Sequence, residues 1–391
     1  MKGSVKMWSD KKYVNFMINI LLFATAVNLF HYGQFFLPVI CLILFVDHHF
    51  RIRVKNVKVF VVLCLFALSF FLFSYKLGLY SVMGFSVPMA YYIGGNLKED
   101  SEENVRKLIY LLAFGMAALL VLDCCYELSY WYNDLSYMFN KPSHYDFWLR
   151  VRVRTTIIAA NYYLISSCIY YLARFEENRK KKWLGIALFL FSTFYCVALG
   201  RRSSFLILFI SLLFSFTYDL LFIRKKIDAK YLIYGCIAIA AVVLVLALDL
   251  FGIGEKISQI GLIQRFMKKG LFTERFEILK KSLPLFGKYL WGGQQISTRT
   301  GALIHDLWGD IYDYSGIIPA VCMLVYSFHV LKTMYGYTGR KRTRTPFSML
   351  VLSWFITCSI IFFLEPIMSG SSIYLIVYVM IAASLDPRQN Q

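Results

Sequence analysis

Apolar runs of membrane-spanning length recur along the whole chain, and no other feature limits its fold as strongly. A spanning helix needs roughly 20 apolar residues. Runs of this kind lie near 13–30, 33–46, 59–75, 77–95, 108–126, 155–173, 183–199, 203–223, 231–251, 311–331, 347–364 and 371–386. They are continuous and not alternating, which predicts helices and argues against a β-barrel. The expected fold is an all-α polytopic transmembrane helical bundle of about twelve spans. Ten or eleven spans are the neighbouring counts, because 33–46 is short and VMGFSVPMAYYIGG is loosened by Gly and Pro.

Composition agrees. Of 391 residues, 59% are hydrophobic and only 17% charged, with 35 Phe and 28 Tyr. A soluble domain of this size cannot bury so much apolar surface, and a disordered chain would not carry it. The formal net charge of +19 therefore asks first where the cations sit, and nucleic-acid binding is not expected. Lys and Arg concentrate in 1–12, 47–58, 95–107, 174–182, 224–230 and 332–345, together more than half of the 42 basic residues. Under the positive-inside rule these are cytoplasmic, as are both termini. The basic N-terminus lacks a small-residue cleavage site and reads as an uncleaved signal-anchor. The nine cysteines form no C-x-x-C pair and read as small buried hydrophobes.

One membrane domain, 1–391, is expected, with two long outer segments at 127–154 and 252–310. Long loops are where function collects. Between 252 and 302 nine basic residues, Arg265, Arg275 and Arg299 among them, oppose three glutamates. This charge suits an anionic ligand such as a lipid-linked phosphate, and FEILKKSLPLF equally suits an amphipathic helix lying on the bilayer surface. Arg201 and Arg202 occupy an outer turn in YCVALGRRSSFLILFI, where Gly200 allows the turn and Ser203 or Ser204 is expected to cap the next helix. Two guanidiniums at a helix N-terminus favour a bound anion, with snorkelling anchors as the alternative.

His305 lies in TGALIHDLWGDIYDYSGIIP, near Asp306, Asp310 and Asp313. It is a candidate general base, and an interfacial histidine without a role is the plainer reading. The spacing of WLRVRVRTT puts Arg150 and Arg154 on one helical face, with Arg152 elsewhere. The aromatic residues before it suit an interface belt. Asn161 is a polar group inside a span and needs a hydrogen-bond partner. No distinctive metal-ligand set stands out.

With these features in order, the chain resembles the O-antigen polymerase and ligase superfamily of bacterial inner-membrane glycosyltransferases. The resemblance rests on the Arg-Thr stretch leading to Asn161, the Gly-Arg-Arg-Ser-Ser turn at 200–204, and TERFEILKKSLPLFGKYLWGG at 273–293. It rests also on His305 followed by Gly316 and on LEPIMSGSS at 364–372. It covers about 150 to the C-terminus. Asp306 stands where the family often has Asn, and Arg202 replaces a small residue, so either Arg201 or Arg202 carries the role.

The resemblance implies a periplasmic, metal-independent, inverting transfer with no cofactor. The donor would be a glycan on undecaprenyl pyrophosphate, the acceptor the terminal sugar of another lipid-linked repeat unit. In a ligase the acceptor would be the lipid A core. Catalysis would fall to His305 and Arg275, and binding of pyrophosphate and glycan to Arg201, Arg202, Arg154, Arg152, Asn161 and Arg265. A chain-length regulator is an expected partner. A flippase for lipid-linked oligosaccharide is the rival of another class, and it would need charge in mid-span.

Overall fold

Backbone amides inside hydrocarbon must bond within their own segment, and the chain meets this demand with helices. The computed structural model describes residues 11–74, 82–97, 102–130, 143–154, 156–224, 273–339, 344–365, 367 and 373–387. The side chains of a few positions inside these segments, including Arg154, Arg202 and Arg275, also lie outside the described set. So do Arg265, the apolar run at 231–251 and most of LEPIMSGSS.

The helices are α1 (Lys11–Ala26), α2 (Phe36–Asp47), α3 (Val57–Phe73), α4 (Ser86–Asn96) and α5 (Glu102–Tyr130). A two-stranded hairpin follows, β1 (Ser143–Tyr145) and β2 (Arg152–Arg154), pairing Ser143 with Arg154 and Tyr145 with Arg152. Then come α6 (Thr156–Phe175), α7 (Arg179–Ala198) and α8 (Arg202–Tyr218), the last running into a π turn at Asp219–Arg224. The C-terminal part holds α9 (Thr273–Phe286), α10 (Gln295–Thr300), α11 (Leu307–Ser315), α12 (Ile317–Gly339), α13 (Pro346–Leu364) and α14 (Ile373–Leu385).

Among the described residues five helices are long and apolar enough to cross a membrane: Glu102–Tyr130, Arg179–Ala198, Ser203–Arg224, Ile317–Gly336 and Pro346–Leu364. Four shorter apolar helices accompany them. Their outward faces carry Phe16, Ile20, Leu42, Leu68, Leu72, Phe209 and Phe328, all exposed. Apolar residues repeated on the outside of a packed helical core are what lipid solvates and water does not.

Long-range contacts sort the helix ends into two groups. At one end Lys55 Nζ donates to the Ser384 carbonyl at 2.9 Å, Arg106 to the Tyr171 hydroxyl at 3.2 Å, and Arg224 Nε to Asp219 at 2.8 Å. Of the loops predicted to be cytoplasmic, 47–58 and 174–182 are described and adjoin this basic end. At the other end Trp148 Nε1 donates to the Val27 carbonyl at 3.1 Å, and the Trp308 and Phe363 rings meet at 5.0 Å.

Small residues let the helices approach. Ser211 Oγ on α8 bonds the Ser166 carbonyl on α6 and the Ser353 hydroxyl on α13, each at 3.0 Å. Gly94 brings α4 against α14, where a Cβ would stand 2.1 Å from the Met380 carbonyl oxygen.

Three expectations change. The run at 311–331 is broken, because Gly316 at φ 90° separates α11 from α12. Its backbone passes so close to Leu290 that a Cβ would lie 2.7 Å from that carbonyl. The first outer segment begins later than 127, since α5 continues to Tyr130. Arg150 and Arg154 share no helical face: Arg150 sits at φ 53° in the hairpin turn and Arg154 lies in β2. The alternating VRVR pattern, with its β-branched valines, pairs as a strand.

Replacing Gly94 with Ala should lower stability by about 1–3 kcal/mol through overpacking against backbone that cannot swing away. Gly336→Ala, which meets nothing within 4 Å, is the matched control in thermal unfolding of the detergent-solubilised protein.

Candidate functional site

The end opposite the basic loops gathers buried polar groups from four elements. On α5, Asp123 and Glu127 stand one helical turn apart, 3% and 1% exposed. Asp123 Oδ1 accepts from the Phe147 amide at 2.9 Å and Glu127 Oε2 from the Tyr145 amide at 2.7 Å. Two hydrogen bonds thus clamp the hairpin onto the end of α5. Asp146 shapes the turn itself, its Oδ1 accepting from the Trp148 and Leu149 amides at 2.9 and 2.7 Å. Burial would push its carboxyl up, but the His31 imidazole and these amides together hold it below the usual carboxylate range.

His144 on β1 is 1% exposed, with Nε2 3.8 Å from Asp123 Oδ2. Burial pushes its pKa down to about 4, the Arg201 charge adds to the fall, and Asp146 opposes it. The ring is therefore neutral at pH 7, and its approach to Asp123 is a polar contact between a neutral imidazole and a carboxyl. Between His144, Asn161, Asp123, Asp146, Asn28 and His31 lies a cavity of about 10 Å³, the room of a single water. Asn161 Nδ2 and His144 Nδ1 have no hydrogen-bond partner among the described residues.

The turn between α7 and α8 closes onto the same end. Gly200 at φ 63° makes the reversal, with Arg201 N bonded to the Cys196 carbonyl at 3.0 Å. Arg201 is the N-cap of α8 and makes no side-chain capping bond. Neither serine caps the helix as expected: Ser203 Oγ instead donates at 2.8 Å to Glu365 Oε1, at the end of α13. Glu365 is 2% exposed. This bond ties the arginine turn to a second helix, which keeps the half-buried Arg201 near His144 and Tyr374, on both of which its charge acts.

The segment carrying His305 reaches the same end by another route. Trp308 packs on Phe363 and donates to Ser327 Oγ at 3.1 Å, which sets the start of α11 beside the end of α13. The carboxylates near His305 are engaged in structure. Asp306 caps α11 through the Gly309 amide at 2.7 Å, and burial raises its carboxyl against that bond. Asp313 accepts from the Ile296 amide at 2.9 Å and from the Ser297 hydroxyl, holding α10 in place. His305 itself is half-buried.

Of the residues singled out in the sequence, Asn161 and Arg201 are brought into one polar cluster. Arg152 lies at its rim, its guanidinium 5.0 Å over the Tyr145 ring, and Arg154 follows two positions along the same strand. Arg202 opens α8 and Arg275 lies in the first turn of α9. Their side chains, like the whole of Arg265, lie outside the described residues. Sequence reasoning passed over Asp123, Glu127, His144, Asp146 and Glu365. The signal for the first two was present, since carboxylates inside an apolar run are functional or structural anchors by default.

No protein-family model matches the chain, and no curated protein matches it.

Because His144 is depressed in the folded state, the unfolded chain binds the extra proton between about pH 4 and its ordinary value near 6.5. Its contribution is whole above pH 6.5 and falls by about 3 kcal/mol as pH drops to 4. Thermal unfolding of His144→Gln at pH 7 and pH 4 should show a smaller pH-dependent loss than the wild type. Glu127→Gln should cost about 1–3 kcal/mol by weakening the bond its carboxyl accepts from the Tyr145 amide.

Proposed function

We propose that the chain is a surface-polysaccharide polymerase of the bacterial inner membrane, with about twelve spans, both termini cytoplasmic and the 252–310 segment periplasmic. It transfers a glycan from undecaprenyl pyrophosphate to the terminal sugar of another lipid-linked repeat unit. The observation that carries this reading is the arginine turn. Arg201 stands in the turn tied by the Ser203–Glu365 bond, and its charge acts on His144, which lines one small cavity with Asn161 at the end opposite the basic loops. A guanidinium held there is pre-organised for a pyrophosphate whose lipid tail stays in the bilayer.

In the transfer the acceptor hydroxyl oxygen attacks the anomeric carbon of the donor. The bond from that carbon to the pyrophosphate oxygen breaks, and undecaprenyl pyrophosphate leaves with the electron pair. Arg201 or Arg202, with Arg275, stabilises the charge gathering on the leaving group. His305 takes the proton from the acceptor hydroxyl. Arg152, Arg154 and Arg265 supply further positive charge for the glycan-pyrophosphate head. A ligase would use the same donor chemistry with a lipid A core acceptor. The flippase reading gains no support from α5, whose carboxylates stand near its end and bind hairpin amides.

The test is a lipopolysaccharide gel from a strain lacking this gene, with wild type or variants restored. Loss of the ladder with one repeat unit still on the core is expected. Loss of every unit from the core, with polymer on the lipid carrier, would mean ligase. Single lipid-linked units accumulating on the cytoplasmic face would mean flippase. His305→Ala should abolish the ladder with the protein still in the membrane, and Arg201→Ala should cut it at least tenfold, as loss of a charge-stabilising donor does. Arg275→Lys should also be damaging, since a point charge does not replace a bidentate fork.

A further inference from the structure

A large opening lies at the basic end, far from the arginine turn. It is a cavity of about 740 Å³ between α1, α2, α4 and α5, within the range of small-molecule sites. Its walls change character with depth. The floor is apolar, made by Ile18 and Leu22 of α1 with Leu108 and Leu111 of α5. The rim is polar, with Arg53, Lys107, Asn15 and Asn104. From Asn15 to Leu22, or from Asn104 to Leu111, the helices descend about 10 Å, most of the way to the middle of a hydrocarbon core roughly 30 Å thick.

Two further observations narrow what fits. Asn15 and Asn19 stand one turn apart in the apolar stretch Tyr13–Ala26 of α1, and both are exposed and line the cavity. Carboxamides facing bare hydrocarbon are unfavourable, so this face of α1 suits a polar occupant. The rim also favours anions: Arg53 and Lys107 are opposed in the lining by Asp47 alone. Lys107 pairs with Glu103 at 2.6 Å, which uses one of its three N–H donors.

We propose that this cavity binds an anionic phospholipid from the leaflet at the basic end. The phosphate sits between Arg53 and Lys107, the asparagine amides meet the glycerol and ester oxygens, and the first acyl carbons cover the leucine floor. Basic pockets between spanning helices are suited to such headgroups. The site stands apart from the arginine turn and is independent of the polymerase reading, needing only that the helices cross a membrane.

The experiment uses the full chain purified in dodecyl maltoside, with thermal unfolding followed during titration. The probes are dioleoyl phosphatidylglycerol, dioleoyl phosphatidylcholine and glycerol phosphate. A saturable rise in Tm is expected with phosphatidylglycerol, with a midpoint about tenfold below that for phosphatidylcholine and no rise with glycerol phosphate. The double variant Arg53→Gln with Lys107→Gln should remove this preference. Asn19→Phe, which fills the cavity and keeps its charges, should weaken the response and serves if the double variant does not fold. Equal responses to both lipids would overturn the proposal in favour of general solvation of the apolar surface. A response to glycerol phosphate alone would make the ligand a soluble phosphate. An unchanged preference in both variants would put the headgroup elsewhere.

Discussion

Hydrocarbon offers a peptide group nothing to bond with, and most of this molecule follows from that constraint. Backbone pairing within each segment makes helices the building unit. With apolar solvent outside, the hydrophobic effect no longer drives one helix against another, and close packing and buried hydrogen bonds take over. The contact of Ser211 with Ser166 and Ser353, and the near-touching backbones at Gly94 and Met380, are direct expressions of it. Leucines and phenylalanines are displaced to the outer face, where a soluble protein would place charge.

The same constraint drives titratable groups to the helix ends, where the two ends treat them differently. At the basic end cations and their partners surround an open cavity, and Asp219 is locked by Arg224 and the Tyr170 hydroxyl, each at 2.8 Å. At the opposite end the polar groups are packed almost to closure. Asp123 and Glu127 accept from the amides of a hairpin, His144 is kept neutral, and the remaining gap holds no more than a water. This second arrangement joins α5, the hairpin, α6 and the α7–α8 turn through mostly buried polar groups. The Ser203–Glu365 bond links the arginine turn to this packed end, and the Arg201 charge acts on His144 within it.

Part of the polar cluster lay within reach of sequence reasoning, and the part that did not has a common cause. Gly200 and Arg201 were legible because a tight turn between apolar helices is a local event. Asn161 was legible because a carboxamide in an apolar run is conspicuous. His144 and Asp146 gave no such signal: each matters only through partners on α5 or before α2, far away in the chain. The VRVR stretch was open to two periods. Arginines four apart fit a helix face, and alternation fits a strand. The carboxylates of α5 decide for the strand by taking the hairpin amides. Asp306 and Asp313 were read as company for His305, yet their oxygens are occupied by backbone donors that only the fold brings near.

What the sequence determined by itself is the class of solvent and the class of fold. The length and continuity of the apolar runs and the segregation of cations depend on composition along the chain, and they need no tertiary information. The tertiary structure alone decided which polar groups are bonded and which line open space. It broke the 311–331 run at Gly316 because Leu290 and Trp291 pass against that backbone. It turned Ser203 from a helix cap into a tie to Glu365, and it opened the cavity between α1, α2, α4 and α5 while closing the gap around Asn161. Pairing of this kind depends on the distance between residues remote in sequence, and that distance exists only once the helices have packed.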